Sequence, residues 1–292
     1  MIRLTRGEKI FTIFNHCFLI FLMILMLYPV WYIFMGSFSD ATRAQQGGFF
    51  LIPAGFSLDA FKAVLTNVSL LSGFKTTLIT TVIGTIIGTF LSAGMAYALS
   101  KNRLRGQFIL SFIVLFTMLF NGGMVPTYLL VKNLGLLNSY WALILPNAIG
   151  AWNIFVMMSF FRGIPRDLEE SAKIDGANDL TVFFRIVLPI SKPVLVTIGL
   201  FLAVMYWDDF FSTILYITDK SMWQLQAVLN DVITNTSEAM MKQGVSVSYQ
   251  QNVSKFTIQM ASIVVATIPI LIVYPFVQKH FVKGAMIGSI KG

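Results

Sequence analysis

The run Tyr206-Trp207-Asp208-Asp209 sets two aromatics beside two carboxylates inside an otherwise apolar stretch. Carboxylates accept hydrogen bonds from hydroxyls, and aromatic faces cover C–H surfaces, so the group suits a sugar. Acids at membrane depth are costly and face a cavity or a partner. An outer-edge cap, or an ion pair to another helix, would use the same residues. The acids lie about 16 residues into the stretch, or about 24 Å along a helix, toward its outer half. Helical neighbours sit about 100° apart, so both acids cannot point into one narrow pore. Asn121, Trp152 and Asn153 are further polar or amphipathic candidates for a solute path. Asn121-Gly122-Gly123 with Pro126 also reads as a helix break, and breaks at depth often line cavities.

Catalysis finds less support. His16 and His280 are the two histidines, at opposite ends of the chain. Cys17 is the one cysteine, so no internal disulfide can form. It lies in the first apolar run and reads as a buried thiol. There is no Gly-x-x-x-x-Gly-Lys-[Ser/Thr] phosphate loop, so this chain is not expected to hydrolyse ATP. No metal-ligand cluster or nucleophile–base motif stands out. The expectation is a non-catalytic chain that binds no metal and no cofactor.

These residues need elements to hold them, and the composition says which. The chain has 292 residues, 56% hydrophobic and only 12% charged. That charged share is about half the globular average, too little to cover a water-facing surface. Mean hydropathy is +0.76. The solvent for much of the chain should be lipid. The net charge of +8 sits at the ends of apolar runs, not among stacking aromatics, so nucleic acid is not an expected partner.

A span needs about 20 apolar residues. Six stretches qualify: 11–35, 74–100, 107–130, 140–161, 193–216 and 257–279. The expected fold is an all-α membrane protein with six transmembrane helices. With the N-terminus inside, 14 of the 21 Lys and Arg fall on the inner side and 7 on the outer. That bias puts both termini in the cytoplasm, with Lys101-Asn102-Arg103-Leu104-Arg105 as the clearest anchor. The first run is too long for a signal peptide and reads as a retained span. Three parts follow: 1–73, with the N-terminal segment, first helix and external loop; 74–279, the transmembrane domain; and 280–292, a cytoplasmic tail.

Outer segments 36–73 and 217–256 read as long loops, either docking a partner or capping the bundle. The second span carries Thr80, Gly84, Gly88, Ser92 and Ala96 at every fourth position. Such spacing lets backbones approach closely in lipid, within this subunit or against a second one.

The inner segment 162–192 reads as a helix–turn–helix. Pro165 suits a first helical turn, Asp167, Glu169 and Glu170 favour its positive end, and Gly176 can close it. Asn178 or Asp179 can cap a second helix, whose apolar face is Val182, Phe183 and Ile186. Pro189 and Pro193 mark re-entry to the membrane. A solvated loop with incidental caps is the plainer reading of the same residues.

Glu170-Ser171-Ala172, three residues, Gly176, nine residues, Ile186, one residue, Leu188-Pro189 resembles the EAA loop of binding-protein-dependent ABC importer permeases. The family pattern is Glu-Ala-Ala, x3, Gly, x9, Ile, x, Leu-Pro. Ser171 is the one departure, small for small. The wider chain is similar to the carbohydrate-uptake branch, and to the maltose-type smaller membrane subunit. That likeness rests on Asn147 to Phe161, Tyr206 to Phe211 and the ending Gly284 to Gly292.

The resemblance implies a type I ABC importer permease fold in the bacterial cell membrane, with 162–192 as the coupling loop. It implies two cytoplasmic ATPase subunits that carry ATP and Mg, a second permease subunit forming a heterodimer, and an extracellular solute-binding protein. Oligosaccharides or polysaccharide fragments are the implied cargo. Glu169, Glu170, Ser171, Ala172, Asp175, Gly176, Ile186, Leu188 and Pro189 become the ATPase-coupling residues. Within them Glu170 is the charged contact, Ala172 permits close approach, and Gly176 holds the turn. In maltose-type relatives a glycine-rich tail such as that from Gly284 reaches the ATPase interface. An importer of amino acids or peptides, and an ion-driven secondary transporter, are the alternatives.

Overall fold

A computed structural model of the chain describes residues 6–45, 48, 51–242 and 254–289. The polar stretch 243–252 and the final Lys291-Gly292 lie outside the described residues. Every element of the described residues is helical, apart from one isolated bridge between Ser39 and Phe56. The chain divides into two units, one of residues 1–67 and 229–268, the other of 68–228 and 269–292.

The first unit opens with α1 (Arg6–Ser37), then α2 (Ala41–Gln45) and α3 (Asp59–Thr66). A bare Gly36 lets Phe256 and Met260 approach α1, and a Cβ there would meet the Phe256 ring at 3.2 Å. Phe38 gathers Phe34, Phe56 and Phe61 around it. The expected burial of Cys17 is not found: it is exposed on α1, whose most apolar stretch is unburied among the described residues. For a helix meant for lipid, outward-facing is the ordinary state of a small apolar side chain.

The second unit is built on α4 (Val68–Ser100), a 33-residue rod. Then come α5 (Gln107–Leu119), α6 (Met124–Asn133), α7 (Tyr140–Ile144), which runs into a 3-10 turn, and α8 (Ala151–Arg162). The 162–192 segment holds α9 (Arg166–Ile174) and α10 (Asp179–Val182), which leads through a wide turn to α11 (Leu188–Ile190). The unit continues with α12 (Lys192–Trp207) and α13 (Phe211–Tyr216). Helix α14 (Leu225–Lys242) and helix α15 (Lys255–Ser289) each run from one unit into the other.

All six expected stretches fall on helices, several of them broken. Helices α1 and α4 are each long and apolar enough to cross a bilayer alone. The third stretch bends by 115° between α5 and α6, where Gly123 takes φ +91° and the Asn121 Oδ1 accepts from its N–H at 2.8 Å. The fourth bends by 53° before α8, around Pro146 and Gly150. The fifth stops at Trp207 and resumes at Phe211. The second expected loop instead holds α14, whose Leu225, Ala227 and Val228 are buried. Gly284 to Ser289, expected as a tail, continue α15 as helix.

The small-residue stripe settles inside this subunit. Thr80, Gly84, Gly88, Ser92 and Ala96 are all buried, and α4 packs along α8 and α12. A Cβ on Gly84 would lie 2.5 Å from the Tyr206 ring, and one on Gly88 would lie 2.7 Å from the Ala148 carbonyl. Only hydrogen at those positions lets the ring and the carbonyl sit directly on the α4 backbone.

Candidate functional site

The 162–192 segment is a stiff helical hairpin. Pro165 takes φ −56° and ψ 130°, so it caps α9 from outside, one residue earlier than the sequence suggests. Asp167 and Glu169 occupy the first turn, where the helix dipole favours acids. At the other end Ala177 N–H donates to the Ala172 carbonyl at 2.9 Å, and Gly176 N–H to Lys173 at 3.0 Å. This double closure needs a left-handed residue, and Gly176 supplies it at φ +86°. Asn178 then caps α10, its Oδ1 accepting from Thr181 N–H at 2.8 Å. From Phe183 to Val187 the helix widens to a π turn, and Leu188 N–H donates five residues back to Phe183. A wide turn is tolerated there because Pro189, just beyond, has no N–H for a regular ladder.

Burial sorts the motif residues into two sets. Ala172, Ile186 and Leu188 pack against the core of the second unit. Glu170, Ser171, Asp175, Gly176 and Pro189 are exposed. Ile174 and Leu180 stand 87% and 68% exposed beside them. Glu170 has no ion-pair partner among the described residues, so charge and apolar area are presented together.

Glu169 behaves differently from its neighbour. Its carboxylate pairs with Lys101, and both side chains are largely buried. The Lys101 ammonium also sits 4.1 Å above the Tyr97 ring centre. Arg103 pairs with Asp179, which Lys173 also reaches at 3.1 Å. The hydrogen bond from Lys173, aided by Arg103, holds the Asp179 carboxyl below its ordinary range. The 101–106 turn thus grips both α9 and α10. A cleft of about 610 Å³ opens there, lined by Lys101, Arg103, Arg162, Arg166, Glu169 and Glu170. Sequence reasoning gave Lys101 and Arg103 only a topological role. Charges 68 and 76 residues apart carry no local pairing signal.

A second cleft, of about 490 Å³, lies at the α5–α6 break. Asn121, Gly122, Phe120, Pro146, Ile149 and Trp152 line it. The Asn121 side-chain oxygen is used on Gly123, which leaves its NH2 donors for the cleft. Trp152 is half-exposed and meets Phe201 edge-on at 5.5 Å. The structure therefore brings Asn121 and Trp152 together. Asn153 is not among the lining residues; its amide lies against Gly150.

The Tyr206 to Asp209 group does not join that cleft. Tyr206 is fully buried, and its hydroxyl donates to the Ile144 carbonyl at 2.8 Å. Trp207 is buried against Phe74. Asp208 ends α12 and accepts from Gln226 at 3.3 Å. Asp209 accepts from Ser212 N–H at 3.0 Å and holds the first turn of α13. The helical 100° spacing does not apply to two acids at a helix break.

Sequence reasoning missed Gln224. Fully buried, it donates to Thr80 Oγ1 at 2.9 Å and to the Tyr206 carbonyl at 3.1 Å, and accepts from Thr213 Oγ1 at 2.7 Å. Leu225 N–H reaches Thr77 Oγ1 at 2.7 Å. A lone glutamine in a polar stretch gave no sign of this.

Comparison with known proteins bears directly on these features. Residues 84–286 match the family described as binding-protein-dependent transport system inner membrane component. The polygalacturonan/rhamnogalacturonan transport system permease protein YtcP of Bacillus subtilis is 46% identical, over 98% of this chain and 99% of its own. Protein LplC of the same organism is 45% identical, over 99% and 97%. A chain from the crystal structure of a bacterial ABC transporter involved in the import of the acidic polysaccharide alginate superposes with TM-score 0.88. It is 34% identical, over 96% of this chain and 100% of that one. Such an importer family sets aside the ion-driven alternative. The chain thus belongs to the binding-protein-dependent transport system inner membrane components, as an ABC importer permease of the type I fold.

Proposed function

We propose that this chain forms half of the membrane path of an importer for oligosaccharides or polysaccharide fragments, with ATP hydrolysis on separate subunits. The observation that carries the reading is the gapless Glu170 to Pro189 pattern, folded as a capped helical hairpin with its acid and apolar side chains exposed. Helix α9 seats in a groove of one of two ATPases. Glu170 is its charged contact, exposed Ser171 and Asp175 flank it, and Gly176 keeps the turn. Ala172, Ile186 and Leu188 hold the hairpin on the transmembrane helices, and exposed Pro189 follows its wide turn. ATP and Mg sit on the ATPases, and closure of that pair moves α9.

A second permease subunit completes the path, and an external solute-binding protein delivers the cargo. Both termini are cytoplasmic. The polysaccharide systems named for YtcP and for the alginate transporter support a sugar cargo. So does the cleft at Asn121 and Trp152, which offers amide donors and an aromatic face. Tyr206 and Trp207 serve this path by shaping α12, with Asp208 and Asp209 at its break.

The test is ATP-dependent uptake by the reconstituted importer, across pectic, alginate and malto-oligosaccharides and a peptide control. Uptake of one sugar class that disappears with Glu170→Arg supports the reading. Uptake that persists in Glu170→Arg and Gly176→Pro, or that takes the peptide instead, overturns it.

A further inference from the structure

We infer that Lys101 and Arg103 are positioning residues that convert movement of α9 into movement of α4. The inference rests on α9 being the ATPase contact, and adds the path by which its displacement enters the membrane.

Helix α9 is joined covalently to α8 through Gly163 to Pro165, and α10 leads on to α12. The α10–α12 connection meets α4 through rings, with Phe183 on Tyr97 and Phe184 on Phe90, but brings no charge to it. Yet α4 is the rod against which both α8 and α12 pack. The only charged links from the hairpin to α4 among the described residues come from the turn just after it. Lys101 bonds Glu169 on α9, and Arg103 bonds Asp179 at the head of α10. Lys173 of α9 reaches the same Asp179 at 3.1 Å and ties the two helices together.

The Lys101 link is placed to transmit force. Its ammonium is held between the Glu169 carboxylate and the face of Tyr97, one turn back on α4. Tyr97 is itself buried against Phe161 and Phe183, so the contact reaches the core directly. Largely buried, this pair is screened less than a surface pair. The Arg103 link is more than half exposed and so weaker. The motif glutamates thus divide the work: Glu170 faces the partner and Glu169 faces α4.

The test uses the full importer in lipid nanodiscs with its binding protein and a galacturonan digest, and reads stimulated against basal ATP hydrolysis. Lys101→Glu and Glu169→Lys alone should each lose the stimulation on the order of tenfold, the scale of a modest coupling energy. The ATPase should still co-purify with both, and basal hydrolysis should stay within twofold in Lys101→Glu. The double swap Lys101→Glu with Glu169→Lys should restore most of the stimulation, and Lys101→Arg should keep it. Full stimulation in either single variant overturns the inference. So does a double swap as inactive as the singles, or loss of the ATPase from the complex, which would make the pair part of the docking surface. A wild-type complex that carries no ATPase would instead refute the parent reading.

Discussion

The two ends of α4 are held by opposite chemistries. At the C-terminal end, Lys101 and Arg103 grip α9 and α10 through charge. Along the membrane-embedded length and at the far end, Gly84 and Gly88 give close contact, and Thr80 and Thr77 accept neutral hydrogen bonds from Gln224 and Leu225. Ion pairs near water are weak and tunable, whereas a fitted contact in lipid has no solvent to replace it. The contrast assigns adjustable attachment to the Lys101 end and permanence to the rest of α4.

The strongest way to break this contrast is at Gly84. A valine there drives a methyl into the Tyr206 ring, and overpacking costs about 1–3 kcal/mol or more. We expect Gly84→Val to abolish the monodisperse complex on fluorescence-detected size exclusion; a normal profile would refute the fitted contact. Next comes Gln224→Leu, which strands Thr80, Thr213 and the Tyr206 carbonyl at about 1–3 kcal/mol. Its melting temperature in detergent should fall clearly, and should fall equally at low and high salt.

Gly176→Val forces a branched residue into the left-handed region at about 1–2 kcal/mol. The distortion stays in the hairpin, so stimulated ATP hydrolysis should drop while the melting temperature barely moves. Asp179→Asn should show the smallest effect, and one that 1 M salt erases. Its pH dependence has a definite sign. Because Lys173 and Arg103 depress the folded pKa, the stabilisation is present above the ordinary value of 3.8 and is lost as pH falls through the lowered one. Wild type and Asp179→Asn should therefore differ at pH 7 and converge only below about 3.8.

Legibility in the sequence followed the range of the interaction. The hairpin could be read because its signals are local: Gly176, Asn178 and the acids of the first turn lie within a few residues of what they cap. The stripe on α4 was visible as periodicity, but its partner was not, since Tyr206 lies more than 100 residues away. Tyr206 and Trp207 looked like solute contacts because an aromatic that packs helices and one that faces a sugar are the same residue type. The motif singled out Glu170 as a contact but gave no direction for Glu169, and only the fold turns Glu169 inward to Lys101. The bend at Gly123 was half-legible: its breakers were plain and its angle of 115° was not, while the 53° bend near Gly150 interrupted what read as one span.

The Tyr206 ring seated on bare Gly84 has one more consequence. A plane lodged against backbone blocks both sliding and rotation, so α4 and α12 must travel as a single body. Any opening of the solute path must then be taken up where that body ends, at the non-helical joint 208–210.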